Sequence, residues 1–238
     1  MDEKRKQKKF IVTKIFCGVF AAIFAFSVLK IIQHFNDDRH TESMAEEAKN
    51  LTEISNFSNG DFSDTKYLND EIIGWIRVPG TKVDYPFVQT TNNDFYLTHS
   101  LDKTPSDAGW VFLDYRNKLS DKNLILYAHG RLDGSLFGSL RDTLNDNWIN
   151  DASLHYIETV TESGKMVWEI FSLYKIPTTS DYLKINFSEN SFSDFVDKIL
   201  GRSLHDFQVD ISRDDKIITL STCYDDNEKL VLHGRLKN

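Results

Sequence analysis

Nucleophilic chemistry in this chain would fall to its two cysteines, and proton transfer near neutral pH to its seven histidines. Cys17 lies in a long apolar stretch, far from any polar partner in sequence. Cys223 closes an alternating run, Ile217-Ile218-Thr219-Leu220-Ser221-Thr222, and is followed by the acidic turn-like Asp225-Asp226-Asn227-Glu228 and a second alternating run. With a turn inside Tyr224 to Glu228, antiparallel pairing sets Cys223 opposite Lys229. One face then carries Ile218, Leu220, Leu230, Leu232 and Leu236, a core face. The other carries Thr219, Ser221, Cys223, Lys229, Val231 and His233 and reads as mostly polar, directed away from the core. Side chains alternate with period two, so a one-residue slip would bury the polar set. Directly opposed residues have Cβ atoms about 4.5–5.5 Å apart, within which a lysine favours the thiolate.

A nucleophilic thiol also needs a proton carrier. His34 and His40 border the apolar stretch; His99, His155 and His205 stand in loop-like or polar contexts; His233 pairs opposite Thr219, several residues from the thiol. His129 ends the apolar run "NLILYAH" and enters a glycine-containing loop, "GRLDGSLFGSL". Catalytic groups concentrate on loops held at the ends of rigid elements, which makes His129 the candidate acid and base, with a surface histidine as the alternative. Ser221, on the thiol's face, and Tyr182, near the loop between the long strand and the late helix, are the candidate substrate contacts. A solvated strand residue and a core aromatic are the alternatives for these two.

These residues need a scaffold of strands. From Gly74 the pattern is of short strands, "GWIRV", "DYPFVQ", "GWVFLD", "NLILYAH", "MVWEIFSLYKI" and the terminal pair, with turn signals at Pro79-Gly80, Asn92-Asn93 and Ser163-Gly164. Such spacing predicts a β-barrel or sandwich. One late helix is expected in "SENSFSDFVDKILG", with Phe192, Phe195, Val196, Ile199 and Leu200 on one face and Gly201 as its stop. Trp75, Trp110, Trp148 and Trp168 read as core aromatics.

The remaining composition bounds location and partners. A hydrophobic fraction of 40% with 17 phenylalanines supports a packed core, and the formal charge of −8 argues against a nucleic-acid partner. Positive charge gathers in Lys4, Arg5, Lys6, Lys8 and Lys9, ahead of "FIVTKIFCGVFAAIFAFSVLKII", in which Ile15 to Leu29 is free of charge. That length suits a membrane span, and the basic flank would keep the N-terminus in the cytoplasm and the folded part outside. A cleaved signal peptide is the rival, through the small-x-small Ala25-Phe26-Ser27, but Val28, Leu29, Ile31 and Ile32 continue the apolar run beyond it. The expected organisation is a basic tail over 1–9, an anchor over 10–32, a stalk and helical segment over 33–70 with a turn-like Ser55 to Asp64, and a catalytic domain over 71–238. An unpaired thiol in an exported domain is unusual, which favours a reactive Cys223. No ligand-spaced His, Cys and Asp cluster suggests a metal, and no cofactor is expected.

At this point the motifs resemble a known family. Thr219-Leu220-Ser221-Thr222-Cys223 is similar to the TLxTC-type signature of the class B sortases, membrane-anchored cysteine transpeptidases of Gram-positive surfaces. "GWIRVPGTKVDYPFVQ", "GWVFLDYRN" and "HGRLDGSLFGSL" occur in the family's order. The resemblance runs from about Ile72 to the C-terminus. It implies an eight-stranded sortase β-barrel with N-terminal helices and one helix before the cysteine strand. It also implies that Cys223 cleaves a C-terminal sorting signal after a threonine, giving a thioacyl enzyme that an amine of the peptidoglycan precursor releases. His129 would protonate the departing amine and deprotonate the incoming one. The partners so implied are surface proteins bearing an NPxTx-like signal, a lipid II-like amine, and the membrane through the anchor.

Three positions depart from the family pattern. Tyr127-Ala128-His129-Gly130 stands where the family reads Tyr-Gly-His-Asn. Lys229 stands where the family places an arginine that binds substrate carbonyls and the oxyanion. Arg235, whose register pairs it near Ile217, roughly 20 Å from the thiol, and Arg131 are the other candidates for that role. The connection after Cys223 is short and acidic. A catalytically weak or inactive sortase-fold protein that binds sorting signals, and a hydrolytic cysteine protease, are the alternative functions.

Overall fold

The computed structural model describes residues 2–54, 65–188 and 191–237. The turn-like reading of Ser55 to Asp64 lies outside these residues. The chain divides into two units, Met1–His40 and Thr41–Asn238.

In the first unit the apolar stretch belongs to a helix, α1 (Asp2–Ile54). Phe10, Phe20, Phe24 and Leu29 are exposed, and the segment from Phe10 is long and apolar enough to cross a membrane. Cys17 is exposed on the same segment. In the second unit the last turns of α1 change character: Ala48 is buried in the core with Met44 and Ala45 against it, and Lys49 Nζ pairs with Asp84 Oδ2 at 2.9 Å.

The second unit is a closed barrel of eight strands. These are β1 (Ile72–Arg77), β2 (Asp84–Val88), β3 (Phe112–Leu113), β4 (Asn123–Tyr127), β5 (Tyr156–Thr161), β6 (Gly164–Pro177), β7 (Ile217–Cys223) and β8 (Glu228–Leu236). Around the barrel they run β1-β2-β3-β4-β7-β8-β6-β5, and β5 returns to β1. The pairs β2/β3 and β4/β7 are parallel, the others antiparallel. Closure leaves no free sheet edge in this ring. The expected strands are all present, although "GWVFLD" supplies only the two-residue β3. β5 was not among them: its run "YIETVT" mixes polar and β-branched residues without clean alternation. Its hairpin to β6 turns at Ser163-Gly164, the turn the sequence marks, where Gly164 has φ +100°.

Two apolar clusters hold the barrel. The larger includes Trp75, Trp110, Trp148 and Trp168, all buried, together with Ile218, Leu220, Leu230 and Leu232 from the last hairpin. The smaller lies outside the wall. There α3 (Ser191–Leu200), the helix that follows the short α2 (Asp146–Ile149) in chain order, lays Phe192, Phe195, Val196 and Ile199 over Phe171, Tyr174, Tyr182, Ile217 and Val231. The α3 face matches the sequence expectation except that Leu200 is exposed. The carbonyl of Ile199 in the last turn accepts from Ser172 Oγ at 2.7 Å, which fastens the helix end to β6.

This second cluster corrects one expectation. The face of the last hairpin carrying Thr219, Ser221, Val231 and His233 is buried, not solvated: all four are 5% exposed or less. The residues tolerate burial because they satisfy one another. Thr219 Oγ1 donates to Asn123 Oδ1 at 2.8 Å and lies 2.9 Å from His233 Nδ1, while His233 Nε2 meets Tyr174 Oη at 2.9 Å. Burial, with a smaller contribution from the nearby Arg202 charge, pushes the His233 imidazole down to about 3, so it stays neutral.

Candidate active site

The β7–β8 hairpin pairs as its alternation requires. Ile217 faces Arg235, Thr219 faces His233, and Cys223 faces Lys229 on the final rung. The turn is closed by Tyr224 N donating to Glu228 O at 2.9 Å and by Asp225 Oδ1 accepting from the amides of Asn227 and Glu228, both at 2.8 Å. Those amide hydrogen bonds hold the Asp225 carboxylate below its usual range. Asp225 of the short connection thus binds the turn's own backbone. Lys229 Nζ donates to Cys223 Sγ at 2.9 Å, and both side chains are half-buried. Positive charge is therefore fixed where a thiolate, or an oxyanion formed beside it, would gather negative charge.

β4 runs parallel to β7, with Tyr127 beside Ser221. Continuing this register past the strand end brings His129 alongside Cys223. Two contacts keep the chains together there. Thr222 Oγ1 donates to Ala128 O at 2.8 Å, and Gly130 rests so closely on the Cys223 carbonyl that a Cβ would fall 1.9 Å from that oxygen. The Gly130 departure from the family pattern thus has a geometric reason: no side chain fits. His129 is half-buried, and its Nε2 lies 2.8 Å from Leu97 O. A carbonyl only accepts, so Nε2 carries the hydrogen of this bond and Nδ1 is left to take or give a proton. Gly109, at φ +65°, lets the chain pass under the imidazole, since a Cβ there would meet Tyr96 O at 2.5 Å and His129 Cδ2 at 3.0 Å.

The strand below His129 is braced by a buried carboxylate. Asp114 accepts from Tyr127 Oη at 2.9 Å and from Arg116 through Nε at 2.9 Å and Nη2 at 2.7 Å. Burial raises the Asp114 carboxyl, but the hydrogen bonds from Arg116, Tyr127 and Asn93 outweigh it and leave the group below its usual range.

The two candidate substrate contacts are adjacent. Tyr182 and Ser221 are buried, and Tyr182 Oη lies 2.9 Å from Ser221 Oγ. Burial raises the Tyr182 phenol, with the Ser221 hydrogen bond opposing. Ser221 stands two residues before Cys223 on β7, so the pair is buried next to the rung that carries the thiol.

The three cations weighed for the oxyanion role stand apart. Arg235 pairs with Ile217 in register, donates from Nη1 to Asp210 O at 2.9 Å and bonds Glu169 through Nη2. Arg131 Nε is 3.6 Å from Asp133 Oδ2. Lys229 touches the sulfur. A fourth cation, Arg141, was not foreseen. It donates to backbone carbonyls of both the His129 loop and the segment after Cys223. Nothing in local sequence pairs residue 141 with residue 224. Among the described residues no three His, Cys, Asp or Glu side chains gather as a metal site.

Residues 76–237 match the family model described as the sortase domain. The chain is 32% identical over 228 residues to sortase B of Listeria monocytogenes, covering 92% of this chain and 91% of the relative. It superimposes on the crystal structure of sortase B from Bacillus anthracis with a TM-score of 0.78 at 32% identity, over 85% of this chain and 98% of that one. A Staphylococcus aureus sortase B–substrate complex gives a TM-score of 0.77 at 27% identity, over 85% and 98% of the two chains.

Proposed function

The chain belongs to the sortase family, as a class B cysteine transpeptidase, and we propose that it cleaves a surface protein's C-terminal sorting signal after threonine and transfers the new carboxyl terminus to an amine of the peptidoglycan precursor. The observation that carries this reading is the contact of Lys229 Nζ with Cys223 Sγ, 2.9 Å, beside the strand end that holds His129.

In the proposed reaction the Cys223 sulfur attacks the carbonyl that follows the threonine side chain. The carbonyl π electrons move to oxygen, and the Lys229 ammonium balances that charge. Collapse of the intermediate expels the amine of the next residue, which takes a proton from the imidazolium of His129. A thioester on Cys223 remains. The incoming amine attacks it, gives its proton to His129, and leaves as the new amide while the thiolate is regenerated beside Lys229. Lysine offers a point charge where arginine offers a planar fork, so oxyanion binding here depends on one mobile donor. Ser221 and Tyr182 shape the wall against which the threonine segment lies.

The proposed location is the cell membrane, with α1 as a single-pass anchor, the basic N-terminal residues in the cytoplasm and the barrel outside. The exposed apolar surface of α1 from Phe10 supports this.

The test is transfer itself. Cells carrying the full chain and a tagged protein ending in an NPxTx-type sorting signal are extracted before and after cell-wall digestion. The reading expects tagged protein that is released only by digestion, and loss of that fraction in Cys223→Ala and His129→Ala. Tagged protein cleaved by the active chain but free in the medium would identify a hydrolytic protease instead. Uncleaved tagged protein retained on the barrel would identify a binding protein.

A further inference from the structure

We propose that Arg141 is a positioning residue for the transpeptidase reaction: a guanidinium clamp that holds the His129 loop and the Cys223 strand end at their working separation. The inference rests on the reading that these two side chains act together.

Arg141 lies in the short 3-10 segment Gly138–Leu144. Its Nη1 donates to Gly130 O at 3.1 Å and to Arg131 O at 3.2 Å, the two residues after His129. Its Nη2 donates to Tyr224 O, the residue after Cys223. One planar, permanently charged group therefore bridges the residues that follow the proposed base and the proposed nucleophile. Bonds from a charged donor are roughly twice as strong as neutral ones, and the guanidinium's several donors have fixed directions. The side chain of Tyr224 completes the clamp, with Arg141 Cζ 5.5 Å from its ring centroid and Lys175 Nζ 4.4 Å from it.

The clamp has a rigid base. Leu136, Phe137 and Leu140 are buried in the barrel core. Leu136 N donates to Tyr85 Oη at 3.1 Å, and Lys82 N donates to Ser139 Oγ at 3.0 Å. Two other fasteners join the segment after β4 to β7: the Thr222–Ala128 hydrogen bond lies on the strand side of the thiol, and the Gly130–Cys223 approach lies at the thiol's own carbonyl. Arg141 secures the far side, where loop and hairpin turn would otherwise separate. Because its hydrogen bonds among the described residues all go to main-chain carbonyls, its action on the reaction runs through His129 and Cys223 and not through substrate.

A positioning role predicts a step-specific defect. Proton donation by His129 matters when the departing group is an amine and not when it is a phenolate. The experiment uses an NPxT peptide acylating Cys223 in two forms, one continuing through a glycine amide and one ending in a p-nitrophenyl ester. The proteins are the parent, Arg141→Gln, Arg141→Lys and His129→Ala, with amide hydrogen exchange read over 129–135 and 223–227 in each. Misplacement by an ångström costs about 100-fold in well-ordered sites. Arg141→Gln is expected to acylate about 10- to 100-fold more slowly from the amide, within about 3-fold of parent from the ester, and to exchange faster in those two segments alone. Arg141→Lys, which keeps the charge without the fork, should fall between, and stands in for the glutamine variant should that one fail to fold. Equal loss from both leaving groups, or unchanged exchange in both segments, would overturn the clamp. If His129→Ala shows no amide-specific loss, the assignment of His129 falls. If His129→Ala shows that loss and Arg141→Gln does not, the clamp alone falls.

Discussion

Lys229 and Cys223 face each other on the last rung of the β7–β8 ladder, with the ammonium 2.9 Å from the sulfur. The pair lies where this face of the hairpin reaches the outside, since Thr219, Ser221 and His233 on the same side are buried. The Lys229 charge thus touches the sulfur, and in the proposed reaction it also balances the oxyanion. Removing it should affect the chemistry more than the fold. Lys229→Ala is expected to slow acylation of Cys223 by a sorting peptide about 10²- to 10³-fold, the usual loss for one oxyanion donor. Lys229→Arg should keep acylation within about 10-fold of the parent. Single-turnover acylation followed by mass spectrometry measures both, and a Lys229→Ala rate equal to the parent's would remove lysine from the site.

Gly130 tests the close approach of the two strands. A Cβ there would lie 1.9 Å from Cys223 O, a backbone atom that cannot swing aside as a side chain can. Gly130→Ala is expected to cost about 1–3 kcal/mol of stability, as overpacking does. Acylation should fall as well, because the strain pushes directly on the thiol's own peptide group. Urea unfolding alongside the acylation rate separates the two effects. Gly130→Asn, which would restore the family's residue, should do no better, since its Cβ meets the same carbonyl.

Tyr182 and Ser221 make their hydrogen bond out of water. Removing either hydroxyl leaves the other without its partner, at about 1–3 kcal/mol. Tyr182→Phe and Ser221→Ala should each lower the unfolding free energy, and the double variant should cost less than the two single losses added. A sorting-peptide KM that rises in the double variant beyond what either single change produces would assign the pair to substrate binding as well as to the wall.

His233 makes stability depend on pH. Its imidazole is held neutral down to about 3 in the fold, whereas the unfolded chain takes up a proton near 6.5. Between those values the unfolded state binds more protons, so stability is lost as pH falls from about 6.5 toward 3 and is fully present above that window. The slope from this one group approaches about 1.4 kcal/mol per pH unit. Comparing urea midpoints at pH 7 and pH 5, above the carboxylate range, isolates it. The parent should lose stability over that interval, and His233→Gln should lose less. Equal loss in both would show that other groups carry the dependence.

The nucleophile's surroundings were legible in sequence because local rules govern a tight hairpin. The acidic connection and alternation with period two are enough to set Cys223 opposite Lys229. The same alternation misled further down that face of the hairpin. Thr219, Ser221 and His233 look solvated until Tyr174, Tyr182, Asn123 and α3 arrive from distant sequence to cover and pair them. β5 escaped for a related reason: its polar threonines are buried, and Thr159 Oγ1 accepts from Trp168 Nε1 at 2.9 Å. Arg141 was beyond reach, since its carbonyl partner in Tyr224 lies 83 residues away and backbone acceptors leave no mark on residue identity.

The central claim is that Cys223 is an acyl-transferring nucleophile, and intact mass of the soluble domain tests it most directly. The domain is incubated with NPxTx-type sorting peptides and hydroxylamine is then added, with Cys223→Ala alongside. The account predicts an adduct on Cys223 equal to the peptide up to its threonine, discharged by hydroxylamine as the hydroxamate and absent from Cys223→Ala. A folded parent with a free thiol that never gains this mass, while binding the same peptides, would contradict it.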